Sequence, residues 1–347
     1  MTMIKNKRIL VVEVNWLGDV LFSTAALRQL RKMYPESYIA CLVHKRCREV
    51  LEGNDYINEI IVLDEEKNHR GLFGKLGLIR QLKAKNFDTA YLFHRSFTRT
   101  LICYLSGIKN RIGYVTAKRK FLLTDAVSPP GEVIHRAAYY MYLITRKITD
   151  KKEELHCSFS FNRYNREYIN NILQGEGINL GDKLVVIHTA GNWLQKRWPK
   201  EYFAKLADKL IKHYKVKLIF TGAEKEKAHI SDIISLMKET AINLCARTSL
   251  KELGALFQGA DLIISGDSGP LHIAVASQRP TIALFGPTDQ KITGPLATKN
   301  ISVLQKDVGC VIPCYDVNCP DNRCMSAISV QDVLDCIEKN KWLEIKK

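Results

Sequence analysis

Asp261-Leu-Ile-Ile-Ser-Gly-Asp-Ser-Gly-Pro-Leu-His-Ile-Ala274 decides the fold. An apolar run ends at Ser265, as a strand buried on both faces does. Gly266 and Gly269 permit a tight turn and a close backbone approach. Ser268 then stands where a helix N-cap is wanted, and Pro270 falls in the first turn. Strand, small-residue turn and helix together are the repeating unit of a parallel, doubly wound sheet.

The unit recurs in both directions from this point. The pattern predicts strands over 183–188, 216–220, 241–244, 261–265 and 280–285, with helices over 201–214, 228–238, 250–258 and 269–276 between them. A last helix, 330–338, starts with Ser329 and Asp332 in capping-box spacing. Before residue 175 the same alternation predicts strands over 8–14, 38–43, 59–63 and 89–93, and helices over 19–33, 47–52, 72–85, 135–146 and 162–173. The turn-rich stretch from Gln174 to Asp182 separates two series, so a first domain over 1–175 and a second over 182–328 are expected. A chain of 347 residues is also longer than one core usually serves. Two such α/β domains, each a Rossmann-like doubly wound sheet, should face a cleft, with chemistry on the loops beyond the carboxyl ends of the strands.

Composition sets the outer limits. The hydrophobic fraction is 46% and the charged fraction 25%, so a packed globular chain is expected rather than disorder. The formal net charge is +16, which calls for an anionic partner: nucleic acid, a membrane surface or a phosphorylated substrate. No apolar run reaches the length of a membrane span, and the apolar segment after the basic start is broken by Glu13 and Asn15. A cytoplasmic protein that can rest on a membrane face is the expectation. Cys41, Cys47, Cys103, Cys157, Cys245 and Cys336 are scattered, which fits free thiols in a reducing compartment.

Four strand-end loops carry candidate chemistry. In the first, the free N–H groups at the helix start around Ser268 and Gly269 suit an anion such as a diphosphate. Asp267 there could accept from ribose or sugar hydroxyls or hold His272, and His272 could donate to a phosphate. An ordinary capped turn explains the same residues equally well. The second loop follows His188 with Thr189 and carries Lys196 and Arg197 just before Trp198-Pro199. Two cations there could hold phosphates, though a solvated basic pair is commoner. The third, Thr221-Gly-Ala-Glu224, offers a carboxylate for a pair of hydroxyls, or simply a helix-dipole partner. The fourth, Asn15-Trp-Leu-Gly-Asp19, places Asp19 at a helix start, where it could act as general base toward an acceptor hydroxyl. Neither a Gly-x-Gly-x-x-Gly fingerprint nor a P-loop accompanies these turns, which weighs against a dinucleotide oxidoreductase and a nucleotide kinase.

Taken in series, Gly18-Asp19-Val20, Lys196-Arg197-Trp198-Pro199, Gly222-Ala-Glu224, Gly266-Asp-Ser-Gly-Pro-Leu-His272 and Ala283-Leu-Phe-Gly-Pro-Thr288 resemble the heptosyltransferases of glycosyltransferase family 9. The resemblance implies a GT-B fold with an N-terminal acceptor domain and a C-terminal donor domain. It also implies that the segment 329–347 crosses back to the N-terminal domain. It implies metal-independent, inverting transfer of a heptose from ADP-heptose to a lipopolysaccharide or lipooligosaccharide inner-core acceptor, by a monomer on the cytoplasmic face of a Gram-negative inner membrane. By matching position, Asp19 resembles the base and Lys196 the diphosphate ligand that stabilises the leaving group. Thr189, Arg197, Glu224, Asp267, Ser268, Gly269 and His272 resemble donor contacts. His94, Arg95, Arg99 and Arg111 follow the strand ending at Phe93 and are candidates for a phosphorylated acceptor. A basic solvated surface accounts for them as well.

Cys310, Cys314, Cys319 and Cys324 fall in one short loop with Pro313 and Pro320. Four thiols can ligate Zn or Fe in a structural site, but no Cys-x-x-Cys knuckle is present, and free thiols or disulfides are the plainer alternative. The resemblance implies no catalytic cofactor. The near rival is another GT-B sugar-nucleotide enzyme, a hexosyltransferase or an epimerase. The far rival is a nucleic-acid-binding protein, supported by charge alone and lacking an interleaved basic and aromatic patch.

Overall fold

The computed structural model describes residues 7–189, 193–296 and 299–344. It divides into two compact units, Met1–Ser160 and Phe161–Lys347. The first contains β1 (Arg8–Val12), α1 (Leu17–Met33), β2 (Tyr38–His44), α2 (Arg48–Leu51), β3 (Glu59–Leu63), α3 (Gly71–Ala84), β4 (Thr89–Leu92), α4 (Phe97–Leu105), β5 (Asn110–Tyr114), β6 (Asp125–Val127), α5 (Arg136–Thr145) and α6 (Lys152–Leu155). The second contains α7 (Arg163–Gly175), β7 (Leu184–His188), α8 (Lys200–Tyr214), β8 (Lys217–Thr221), α9 (Lys227–Ser235), β9 (Ile242–Asn243), α10 (Leu250–Gly259) and β10 (Leu262–Gly266). It continues with α11 (Gly269–Ala276), β11 (Thr281–Leu284), α12 (Gln290–Thr293), β12 (Ile301–Leu304), α13 (Arg323–Ser326) and α14 (Val330–Asn340).

Each unit holds one six-stranded sheet, ordered β3-β2-β1-β4-β5-β6 in the first and β12-β11-β10-β7-β8-β9 in the second. Every neighbouring pair is parallel. Counted within its own unit, each sheet has the Rossmann order 3-2-1-4-5-6, and its direction of winding reverses between the first and fourth strands. Those reversal points lie between β1 and β4 and between β7 and β10. In the second unit Ser265 pairs with His188, so Thr189 and Asp267 leave neighbouring strands at almost the same level.

Sequence explains why the central strands sit where they do. β7 and β10 are buried along their whole length and are dominated by Val, Ile and Leu, as strands covered on both faces must be. The edges are shorter or wetter: β9 has two residues and β12 is half-buried throughout. The core of the second unit gathers Val185, Ile187, Phe203, Leu206, Leu210, Phe220 and Ile264 with Val333, Leu334 and Ile337 of α14. Helix starts follow local chemistry. Ser249 and Glu252 close a capping box on α10, and Ser329 and Asp332 close the expected one on α14.

The boundary between the units differs from the one expected. Helix α7 belongs to the second unit, not the first, because it packs on α10 and Tyr168 Oη donates to the Arg247 carbonyl at 3.2 Å. The division therefore falls at Ser160 rather than at the glycine-rich turn. The apolar face of α14 is buried against α8 and β12 of the second unit. Helices α4, α6, α12 and α13 and strands β5, β6 and β12 fall outside the elements predicted from the sequence.

Candidate active site

In the second unit the loops leaving β7 and β10 converge on Asp267. Its carboxylate is 6% exposed, and Oδ2 accepts from Lys196 Nζ at 2.6 Å and from Thr288 Oγ1 at 2.6 Å. Lys196 also lies over the Trp193 ring, 5.2 Å from its centroid. The Asp267 carboxylate thus fixes a cation at the reversal point of the sheet, and Thr288 fixes the carboxylate. Thr288 sits in the turn after β11, a motif noted in the sequence without a role for this hydroxyl.

Ser268 takes the N-cap position of α11 but its hydroxyl makes no capping bond. Ser268 Oγ, Thr189 Oγ1 and His188 Nε2 are buried and have no hydrogen-bond partner among the described residues. Leaving a buried polar group unpaired costs about 1–3 kcal/mol, so three such atoms on the segments that end β7 and lead out of β10 single out this end of the sheet. Gly269 and Pro270 open the helix, whose first-turn N–H groups face the same end. His188 Nδ1 lies 3.0 Å from Thr221 Oγ1, and burial lowers the imidazole to about 4, so the ring is neutral at neutral pH. His272, on the first turn of α11, is buried. Glu224 follows β8 with an exposed side chain, 3.7 Å from Lys227, and is able to meet a solvent-borne hydroxyl pair. Its neighbour Glu226 is buried and accepts from the Ala223 N–H at 2.6 Å, which shapes the turn.

The cysteine-rich segment braces these loops. Tyr315 rests edge-on against Trp193, Gln195 Nε2 donates to the Val317 carbonyl, and Asn322 Nδ2 donates to the Arg197 carbonyl at 3.1 Å. The Trp198 indole donates to the Ile328 carbonyl at 2.7 Å, and the Cys314 N–H donates to the Pro287 carbonyl at 2.7 Å. Gly286 permits this closeness, since a Cβ there would lie 2.4 Å from Met325 Sδ. Among the described residues no three His, Cys, Asp or Glu side chains converge as metal ligands. Cys319 Sγ instead lies 3.4 Å from Asp321 Oδ1, and Cys324 Sγ 3.8 Å from Asn322 Oδ1. Burial, with the Cys310 and Cys319 thiols nearby, raises the Cys324 thiol, so three of the four cysteines draw near one another within the brace.

In the first unit Asp19 lies in the first turn of α1, at the end of β1. Its Oδ1 accepts from Tyr140 Oη of α5 at 2.7 Å. Behind it, Arg99 is 3% exposed and donates to the Glu13 carbonyl at 2.8 Å, to Asn15 Oδ1 at 2.6 Å and to Glu65 Oε2 at 3.2 Å. Arg46 Nε holds the Asn15 carbonyl at 2.7 Å and stacks on Trp16. Glu13 is fully buried with the Ser23 hydroxyl 3.0 Å from its carboxyl oxygens. Burial pushes its carboxyl up to about 8, against the lowering pull of Ser23, so it keeps its proton at neutral pH.

The four acceptor candidates separate. His94 sits at the reversal point, where its N–H reaches the Val12 carbonyl at 3.2 Å. Its Nδ1 accepts from the Ser96 N–H at 3.0 Å, and burial with nearby Arg99 lowers it to about 4. The proton of the neutral ring is thereby assigned to Nε2, leaving a donor for a ligand. Arg95 is exposed beside it. Arg99 is a structural clamp. Arg111 does not join them: it is the second residue of β5, at the amino end, and its guanidinium donates to the carbonyls of Leu122, Lys109 and Ile108. Tyr140, Glu13, Thr288 and the buried Arg119, which donates to the His94 carbonyl at 2.6 Å, escaped the sequence reading. Only long-range packing reveals them.

Two Rossmann-order units, each with its charged loop at the point of reversal, are the architecture of the GT-B glycosyltransferases. The chain belongs to glycosyltransferase family 9 (heptosyltransferase), whose profile matches residues 76–322. It is similar to lipopolysaccharide heptosyltransferase 2 of Escherichia coli K12, 28% identical over 311 residues, covering 84% of this chain and 86% of that protein. The crystal structure of a family 9 glycosyl transferase from Veillonella parvula superposes with a TM-score of 0.86 at 24% identity, covering 96% and 97% of the two chains. The structure of E. coli ADP-heptose lipopolysaccharide heptosyltransferase II gives 0.79 at 23% identity, covering 96% and 98%. The protein is therefore a transferase, and the nucleic-acid reading, which rested on charge alone, loses its ground.

Proposed function

We propose that the protein transfers a heptose from ADP-heptose to an inner-core sugar of lipopolysaccharide or lipooligosaccharide, with inversion and without a catalytic metal. The second unit is the donor side. The observation that carries this reading is the Asp267–Lys196–Thr288 group, together with three buried polar atoms at the ends of β7 and β10 that have no partner among the described residues. Lys196, Arg197, the Ser268 and Thr189 hydroxyls, His272 and the helix start at Gly269 bind the diphosphate, and Glu224 takes ribose or sugar hydroxyls. The first unit is the acceptor side, with His94 and Arg95 for a phosphorylated sugar.

In the step itself, Asp19 accepts the proton of the acceptor hydroxyl while that oxygen attacks the anomeric carbon. The bond from that carbon to the phosphate oxygen breaks, and the electron pair leaves with ADP. Negative charge grows on the diphosphate, where a fixed cation and N–H donors are worth most. Tyr140 orients the Asp19 carboxylate by donating to Oδ1. A single displacement inverts the anomeric centre. The names of the relatives support heptose and the lipopolysaccharide core as substrates, and such an acceptor places the enzyme at the cytoplasmic face of an inner membrane. Among the described residues no helix is long and apolar enough to cross a membrane.

Asp19→Asn tests the assignment. It should abolish transfer while ADP still raises the melting temperature as in the wild type. Full transfer by the variant removes Asp19 as base, and stabilisation by UDP but not by ADP removes the donor.

A further inference from the structure

Residues 67–86 carry six cations, Lys67, Arg70, Lys75, Arg80, Lys83 and Lys85, and no carboxylate. Most of this stretch is α3. Leu78 and Leu82 are its buried residues, and they dock the helix on the sheet. The opposite side is left uncovered: Leu72 is 70% exposed, Phe73 87% and Leu76 37%. Leu72, Leu76, Arg80 and Lys83 follow at i, i+4, i+8 and i+11, one stripe along the helix, with Phe73 beside it. The apolar residues occupy its first turns and the cations its later ones. Lys85 pairs with Glu59 at 2.6 Å, whereas Lys67, Arg70, Lys75, Arg80 and Lys83 have no ion pair among the described residues.

The place of this face matters as much as its composition. A helix that follows a strand of a parallel sheet starts at that strand's carboxyl end, so the apolar turns of α3 lie at the rim that carries Asp19. The connection is physical. Glu65, in the loop that leads into α3, accepts from Arg99, and Arg99 holds Asn15 ahead of α1. The loop is held in shape, since Asp64 Oδ1 accepts from the Lys67 N–H at 3.1 Å and His69 Nδ1 accepts from the Asp64 N–H at 3.0 Å. At the start of the neighbouring α4, Phe97 and the 75% exposed Phe121 meet with centroids 6.3 Å apart, and the exposed Lys118 and Lys120 precede Phe121 in the chain.

We propose that the exposed face of α3 seats on an anionic lipid bilayer, with Leu72, Phe73 and Leu76 entering the headgroup region and the unpaired cations meeting lipid phosphates. Uncovered apolar side chains on a basic helix favour this occupant, because both the hydrophobic and the electrostatic parts of interfacial binding are then satisfied at once. An acidic protein partner would satisfy the cations only. The proposal deepens the reading of a lipid-borne acceptor. Docking by this rim holds the base loop next to the surface from which such an acceptor projects.

Co-sedimentation with vesicles tests it. The full chain should bind vesicles of phosphatidylethanolamine and phosphatidylglycerol, and bind phosphatidylcholine vesicles far more weakly. Leu72→Ser with Phe73→Ser should weaken binding roughly tenfold or more. Arg80→Gln and Lys83→Gln should each weaken it about fivefold and flatten its salt dependence. All variants should keep the wild-type shift in melting temperature with ADP, which shows that they fold. Equal binding by the serine variant, or no binding of the wild type to anionic vesicles, overturns the proposal. Vesicle binding without any heptosyl transfer overturns the reaction reading and leaves the docking face standing.

Discussion

Replacing Lys196 with methionine removes the charge that Asp267 holds and keeps an unbranched stem of similar length. Asp267 is 6% exposed and the Lys196 side chain 18%. Removing one member of a buried pair costs about 3–5 kcal/mol, because the other charge stays behind without compensation. Here Thr288 still donates to the carboxylate, so the lower end, about 3 kcal/mol, is expected. For a unit of this size that is a fall in melting temperature of roughly 6–12 °C. Adding Asp267→Asn removes the stranded charge, and the double variant should return to within about 1 kcal/mol of the wild type. Catalysis should not return with it. A fixed donor at the developing charge is worth about 100–1,000-fold in turnover, and both variants lack it. The assay is thermal denaturation alongside transfer under saturating donor. A double variant as unstable as the single one refutes the pair as the source of the cost. A single variant that turns over within about threefold of wild type refutes the leaving-group role.

Tyr140→Phe should lower turnover about tenfold, since a hydrogen bond to a charged carboxylate is lost, with donor affinity unchanged; a rise in donor KM alone would contradict an orienting role. His188, depressed by burial from 6.5 to about 4, favours the folded state above pH 6.5 and loses that contribution as pH falls toward 4. The loss is about 3 kcal/mol, and His188→Gln should be less acid-sensitive across that window in denaturant titrations, with the share from His94 remaining. Glu13 has the opposite sign. Raised by burial from 4.5 to about 8, it contributes fully below pH 4.5 and loses the contribution as pH rises toward 8. Glu13→Gln should therefore flatten the stability profile between those limits, and an unchanged profile would show that the carboxyl ionises without consequence.

Much of the molecule was legible because its signals are local. The bounds of β3 and α11 are those the sequence predicts, since a continuous apolar run and a Gly-Pro helix start are each read within a few residues. β5 was missed because Asn110-Arg-Ile-Gly-Tyr114 mixes a charge and a glycine into its five residues, and β12 because its four residues form a half-buried edge. At the site, Lys196 and Asp267 were found as separate motifs, but their pairing spans 71 positions and Tyr140 reaches Asp19 across 121. No periodicity encodes such distances. The position of Ser268 alone predicts a side-chain cap, and only the folded chain shows that its hydroxyl does not make that bond. Arg111 is close to His94 in sequence, whereas the parallel crossover carries it to the far end of the sheet.

Mass spectrometry of a truncated core acceptor after incubation with ADP-heptose tests the central claim most directly. The account predicts an acceptor heavier by one heptosyl unit, with ADP released in equal amount and neither product formed by Asp19→Asn. An unmodified acceptor with ADP-heptose, together with sugar transfer from a UDP-sugar, would contradict it.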